Sequence, residues 1–292
     1  MKVGICCHDA GAAEIISSYI KQKNIAPLYC LSGPAIKVFE RKIGRIDNML
    51  LTDIVKNSNW LLCGTSWKSD LEWNIIKEAK KQQKKVIVFL DHWVNYRERF
   101  IRNNEECLPD EIWVGDHYAE RIAKDNFSNL KIKLIENPYL LDIKKQLSRL
   151  GKIRVRGNSV LYVCEPIREH AYFKHGDEHY WGYTEEEALR FFLTSIDEMF
   201  TAKKSIIIRP HPSEFLNKYD WVFDEFNHND IKIDNKKTLL EQIFDSDIVV
   251  GCETMAMVVA ILAEKEVISS IPPGGRACVL PYKQIKIIKD YL

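Results

Sequence analysis

The sequence predicts an α/β protein built as two domains, each a parallel sheet covered by helices. Three observations predict it. Short, continuous apolar runs alternate with longer amphipathic ones along the whole chain, which is how strands buried on both faces by crossover helices read. The 292 residues are too many for one small module and suit two ordinary domains. The alternation also lapses once, in the basic segment "LLDIKKQLSRLGKIRVRGN", and then restarts.

The first half opens on the strand "KVGICC" and the helix "AAEIISSYIKQ", followed by the strand "APLYCL" and the helix "PAIKVFERKIG". "WLLCG" is a third strand. The helix after it, "SDLEWNIIKEAKKQQ", starts with Ser69 as N-cap and Glu72 as the partner residue of a capping box. "KKVIVFLDHW" is the clearest strand of this half, and "DEIWVGD" and "KIKLIENPY" complete the pattern. The basic segment then reads as a helix and a linker, dividing the chain into domains at 1–145 and 155–292.

In the second half the strand "SVLYVCEP" leads through a long loop to the helix "TEEEALRFFLTSIDEMFTA". The strand "SIIIRPHP", the helix "LLEQIFDS", the strand "DIVVGCET", the helix "MAMVVAILAE" and the strand "EVISSIPPGG" follow. Two such domains leave a cleft between them, and ligands of open parallel sheets bind beyond the carboxyl ends of the strands.

Composition narrows the function classes. The formal net charge is +1, with no long block of Lys or Arg, which argues against a general nucleic-acid binder. None of the 8 cysteines forms a CxxC pair, so a zinc site is not expected, and the thiols read as reduced and buried. No signal peptide or bilayer-length apolar stretch stands out, which points to the cytoplasm with peripheral membrane contact left open.

The strand-end loops concentrate the chemistry. In "RPHPSE", Arg209 and His211 leave a strand beside two prolines that fix the backbone, with Glu214 close behind. A planar guanidinium and an imidazole held in this way suit a phosphate. In "GCETMAM", Gly251 opens a tight turn, and Glu253 and Thr254 stand at a helix start whose amides and dipole favour an anion. Glu253 caps that helix or accepts bonds from ribose hydroxyls. Arg276, in "PPGGR", approaches a ligand or merely follows a turn. Trp181, Tyr183 and Tyr180 stack on a base or sugar, or pin their loop to the domain.

For a proton acceptor, "FLDHWVNYRERF" offers Asp91 as a carboxylate, or His92 oriented by Asp91. "CCHDAG" offers His8 with Asp9, where Gly11 permits close approach of backbone to ligand. Arg97 and Arg99 read as the solvated face of a helix.

The run from "RPHPSE" to "SDIVVGCETMAMVVAILAEKEVISSIPPGG" resembles the nucleotide-binding half of GT-B-fold glycosyltransferases. It is most similar to bacterial sialyltransferases and capsule Kdo transferases, and more distantly to CDP-glycerol polymerases of teichoic acid. The resemblance implies two Rossmann-like domains facing a central cleft and transfer, without a metal or further cofactor, from a nucleotide-activated sugar, CMP- or UDP-linked, to a surface polysaccharide or glycolipid. It places His211 and Thr254 at the donor phosphate. "CEPIREHAYFKHGDEHYWGYTEEEAL" resembles a stretch of uncharacterised bacterial proteins of this kind, which puts Glu165 over the donor. The second motif reads Cys252-Glu253-Thr254 where the family carries paired Ser or Thr, and the family's acidic motif is not evident in the first half. A sugar-nucleotide epimerase of the same fold and a non-catalytic nucleotide-binding partner are the alternatives.

Overall fold

The computed structural model describes residues 1–151, 157–226 and 230–292. The chain forms two compact units, Met1–Asp142 and Ile143–Leu292. The linker expected over 140–158 begins as a helix, and its residues 152–156 lie outside the described residues.

The first unit runs β1 (Val3–Cys7), α1 (Ala10–Gln22), β2 (Leu28–Leu31), α2 (Pro34–Ile43), α3 (Leu51–Asn57), β3 (Trp60–Cys63), α4 (Leu71–Lys81) and β4 (Lys85–Leu90). A hairpin of β5 (Ile101–Arg102) and β6 (Glu105–Glu106) precedes β7 (Glu111–Val114), α5 (His117–Asn126) and β8 (Lys131–Leu134), and the division between the units falls within the next helix, α6 (Pro138–Arg149). Its sheet has the order β2-β1-β3-β4-β7-β8, all pairs parallel. The chain steps from β1 to β2 on one side, then returns to place β3 on the other. The carboxyl ends of β1 and β3 therefore flank the point where strand order reverses, which is where such sheets accommodate ligands. Along this sheet Cys30, Cys6 and Cys63 lie abreast on three neighbouring strands, all buried.

The second unit runs β9 (Ser159–Val163), α7 (Ile167–His175), α8 (Glu185–Met199), β10 (Ser205–Arg209), α9 (Trp221–Glu225), β11 (Asp230–Ile233), α10 (Leu239–Asp245), β12 (Ile248–Gly251), α11 (Met255–Leu262), β13 (Glu266–Ser269) and β14 (Ile285–Ile287). The order β11-β10-β9-β12-β13-β14, again parallel throughout, puts the reversal between β9 and β12. Val160, Tyr162, Ile206, Ile208 and Val250 from three adjacent strands pack with Leu189 and Phe192 of α8 to form its core. Capping boxes start α8 at Thr184–Glu187 and α10 at Thr238–Glu241, and each satisfies two otherwise orphaned backbone donors.

Several local expectations fail for physical reasons. α4 starts after Asp70, and Glu72 does not cap it, because its carboxylate is drawn to the backbone of His8. No α-helix follows Asp91: residues Glu98–Phe100 form a single 3₁₀ turn that enters the β5–β6 hairpin. The long loop after β9 contains α7, whose weak amphipathic pattern hides it from periodicity arguments. All eight cysteines are free, seven of them buried. Among the described residues no helix is long and apolar enough to cross a membrane.

Candidate functional site

The first unit gathers its polar side chains at the carboxyl ends of β1, β3 and β4. His8 follows β1, and its Nδ1 lies 2.6 Å from Oδ1 of Asp9. A carboxylate can only accept, so the neutral imidazole carries its proton on Nδ1 and leaves Nε2 basic. Ser66, after β3, donates to the same Asp9 oxygen at 2.9 Å. The Ser66 hydroxyl in turn accepts the amides of Lys68 and Ser69 at 3.0 and 3.1 Å. Arg102 clamps this loop from outside by donating to the carbonyls of Ser66 and Ser69. Imidazole, carboxylate and hydroxyl are thus fixed by a rigid turn, which is what a positioned acid–base group requires.

Glu72 lies beneath this group. Its Oε1 accepts the His8 amide at 2.7 Å, and its Oε2 is buried without a hydrogen-bond partner. Burial pushes its carboxyl up to about 7, against the downward pull of the backbone donors. Gly33, at φ +53°, is forced by its neighbour as well as by its backbone, since a Cβ there would stand 2.5 Å from Nε2 of His8.

Asp91 is engaged otherwise than the sequence suggests. Its Oδ1 accepts from Arg99 at 3.1 Å, and Arg99 also donates to Thr65 at 2.7 Å. Asp91 and Arg99 are nearly enclosed, their side chains 12% and 10% exposed. Arg99 therefore belongs to the strand-end cluster rather than to a solvated helix face; Arg97, half exposed and paired with Glu106, is the surface residue of the two. The ring of His92 meets Trp93 edge-on with centroids 5.3 Å apart. Gly11 abuts Asp91, since a Cβ on it would lie 2.4 Å from Asp91 Oδ2.

In the second unit the β9–β12 reversal holds Glu165 and the turn Gly251–Thr254. Oε1 of Glu165 accepts the amides of Cys252 at 3.2 Å and of Glu253 at 2.7 Å. Burial raises its carboxyl to about 8, and the Glu253 amide pulls it back only in part. Glu253 does not cap α11; its carboxylate pairs with Arg276 and accepts the Val279 amide at 3.4 Å. The N-cap is Thr254, whose Oγ1 accepts the Ala256 amide at 3.3 Å, a bond that leaves the hydroxyl proton available for donation. Gly251 has a packing reason: a Cβ there would come within 2.9 Å of Val163 on β9.

The aromatic loop is pinned to this unit. Tyr183 is fully buried with Ile167, Ala188 and Cys252. Trp181 carries the Arg276 guanidinium 4.2 Å above its ring, and Tyr180 stacks on His175. The Arg276 amide donates to the Trp181 carbonyl, so the loops after α7 and β13 are tied together.

Arg209 is drawn away from Thr254. The ends of β10 and β12 are separated by β9, two strand spacings or about 10 Å. Arg209 turns to the β11–α10 connection, where it donates to the Lys237 carbonyl and the Gln242 side chain. Glu214 is not open to a ligand either. Its carboxylate accepts the His211 amide at 2.9 Å, the Tyr219 hydroxyl at 3.0 Å and the Lys218 ammonium at 2.7 Å. His211 is the group this scaffold presents. Ser213 donates its amide to Nδ1 at 3.2 Å, so the neutral ring carries its proton on Nε2.

Sequence reasoning missed Ser66, Thr65, Glu72 and Arg99. The first two stand in "CGTSW" directly after β3, a position that marks them once strand order is known. Glu72 and Arg99 come from a helix and a 3₁₀ turn, and carry no local signal. Among the described residues no group of three or more His, Cys, Asp or Glu is placed to hold a metal ion.

No protein-family model and no curated protein matches this sequence. Solved structures do match by shape. UDP-GlcNAc 2-epimerase from Methanocaldococcus jannaschii aligns at TM-score 0.61 and 14% identity, covering 92% of this chain and 83% of that one. The enzyme from Neisseria meningitidis bound to UDP-GlcNAc aligns at 0.61 and 12%, covering 92% and 82%. UDP-N-acetylglucosamine 2-epimerase from Rickettsia bellii aligns at 0.60 and 11%, covering 94% and 80%. At these identities the likeness is one of fold: the chain has the GT-B-type architecture, two Rossmann-like halves each with a parallel sheet.

Proposed function

We propose that the protein acts on a nucleotide-activated sugar, and that it transfers the sugar to a hydroxyl of a glycan or glycolipid. The observation that carries this reading is the His8–Asp9 pair at 2.6 Å, locked by Ser66 at the strand-order reversal of the first sheet. Removing the proton from an acceptor hydroxyl needs a base held in the right tautomer, and His8 has that arrangement. Asp91 is held in an ion pair with Arg99.

In the proposed step Nε2 of His8 takes the acceptor proton. The acceptor oxygen bonds to the anomeric carbon while the bond to the donor phosphate breaks, and the phosphate departs with the electron pair. His211 and the hydroxyl of Thr254 donate to that phosphate and offset its developing charge. No step calls for a metal ion, in keeping with the resemblance to GT-B transferases. The nucleotide is CMP- or UDP-linked.

The epimerase reading has its own support, the fold shared with UDP-GlcNAc 2-epimerases over nine-tenths of the chain. One assay separates the two. The protein is incubated with UDP-GlcNAc alone, and with CMP- and UDP-sugars plus a panel of surface glycans, and products are followed by mass spectrometry and chromatography. Nucleotide release that depends on a glycan supports transfer. Conversion of UDP-GlcNAc without acceptor supports epimerisation. Nucleotide binding with neither outcome leaves a non-catalytic partner.

A further inference from the structure

The turn between β12 and α11 has the form of an anion seat: a strand end, a short turn with inward amides, then a helix. The two amides that an anion would engage, those of Cys252 and Glu253, already hold a carboxylate of the chain itself, Oε1 of Glu165. An independent feature marks the same spot. The hydroxyl of Tyr183 is buried without a hydrogen-bond partner, in a side chain that packs on Cys252. A buried phenol normally finds a partner, so this hydroxyl is a polar group able to donate to a group that enters beside Cys252.

From this geometry we infer that Glu165 sets the charge state in which the second unit admits a phosphate: a phosphoryl group of a nucleotide enters at the Cys252–Glu253 turn with Glu165 protonated, and is repelled when Glu165 is ionised. The inference rests on the nucleotide reading above and assigns Glu165 a discriminating role within it. A carboxylate and a phosphate sharing two amides cannot both be anionic at low cost. A neutral Glu165 can stay beside the phosphate and donate to it, or give up one amide. The surroundings bias the residue toward the neutral form. Burial is the largest influence, and the Glu253 carboxylate adds to it. The Arg276 guanidinium acts on Glu165 in the opposite direction, but it is paired with Glu253. The other titratable groups facing it are Tyr183, Tyr162, Cys164, Cys252 and Cys278, all neutral through the working range because burial raises each of them.

The test is calorimetric titration of the full chain with CMP, UDP and inorganic pyrophosphate from pH 6.5 to 9.5, for the wild type and Glu165→Gln. Glutamine keeps an oxygen for the two amides and cannot ionise. The wild type is expected to lose affinity about 10-fold per pH unit above the Glu165 titration, with one proton taken up on binding there. Glu165→Gln is expected to bind at pH 9 as it does at pH 7, without proton uptake. A pH profile shared by the two proteins overturns the inference and leaves nucleotide binding intact. No binding of any probe to either protein overturns both.

Discussion

The hydroxyl of Ser66 and the imidazole of His8 share one oxygen of Asp9, at 2.9 and 2.6 Å. The carboxylate is thereby oriented from the β3 loop while it orients a ring from the β1 loop. That makes Asp9 a tautomer-setting group, and its replacement is informative. Asp9→Asn is expected to lower turnover by about 10²-fold or more, close to the effect of His8→Asn, because the wrong tautomer removes the basic Nε2. Combining the two is expected to cost little beyond either one. Initial rates of nucleotide release from the donor check this; additive losses would show that the pair does not act as a unit.

Gly33 gives a steric test of the same group. Its φ of +53° strains any other residue, and the space for a Cβ is filled by the His8 ring. Gly33→Ala is expected to destabilise the fold by about 1–3 kcal/mol in urea denaturation. It should also displace His8 and lower turnover, while the stabilisation by nucleotide, which depends on the other unit, stays as in the wild type.

How much of this was legible in the sequence follows from what each feature depends on. The strands and most helices depend on local periodicity, and "KVGICC", "KKVIVFL" and "DIVVG" announce themselves. The β5–β6 hairpin has two-residue strands of Ile101–Arg102 and Glu105–Glu106, too short to show any period. The candidates that the sequence offered are those that follow a strand, as with His8, Asp9, Asp91, Glu165 and His211. Their partners were not found, because partnership is set by strand order. Asp91 meets Arg99, and Glu253 meets Arg276, 23 residues on. Polar residues at strand ends looked alike in sequence, yet Arg209 turned out to tie β10 to the β11–α10 connection, and Glu214 to brace the loop that His211 occupies.

That difference between bracing and presenting residues can be measured. His211→Ala removes a part-exposed ring and is expected to change the melting temperature by little more than 1 °C. It should also abolish most of the thermal shift produced by the nucleotide that stabilises the wild type. Glu214→Ala removes a carboxylate with 1% of its side chain exposed and strips partners from the His211 amide, Tyr219 and Lys218. It is expected to cost about 2–4 kcal/mol, since Lys218 keeps Glu185 as a second partner. Equal melting temperatures for the two variants would reverse these roles.

Glu72 couples the first unit to pH in a direction opposite to that of most carboxylates. Its folded pKa, about 7, lies above the value of an unfolded glutamate because burial disfavours the charge. Below about pH 4 both states are protonated and the residue contributes no penalty. As pH rises from there to about 7 the unfolded chain releases its proton and the folded one does not, so stability falls, and above 7 the loss is complete. The full penalty is of order 3 kcal/mol. Glu72→Gln keeps an oxygen for the His8 amide and cannot ionise. In urea denaturation it is expected to be more stable than the wild type at pH 8.5 and indistinguishable from it at pH 4.5, so that the difference between the two proteins grows across that window. A constant difference between them would mean that Glu72 titrates normally in the fold and is charged beneath His8.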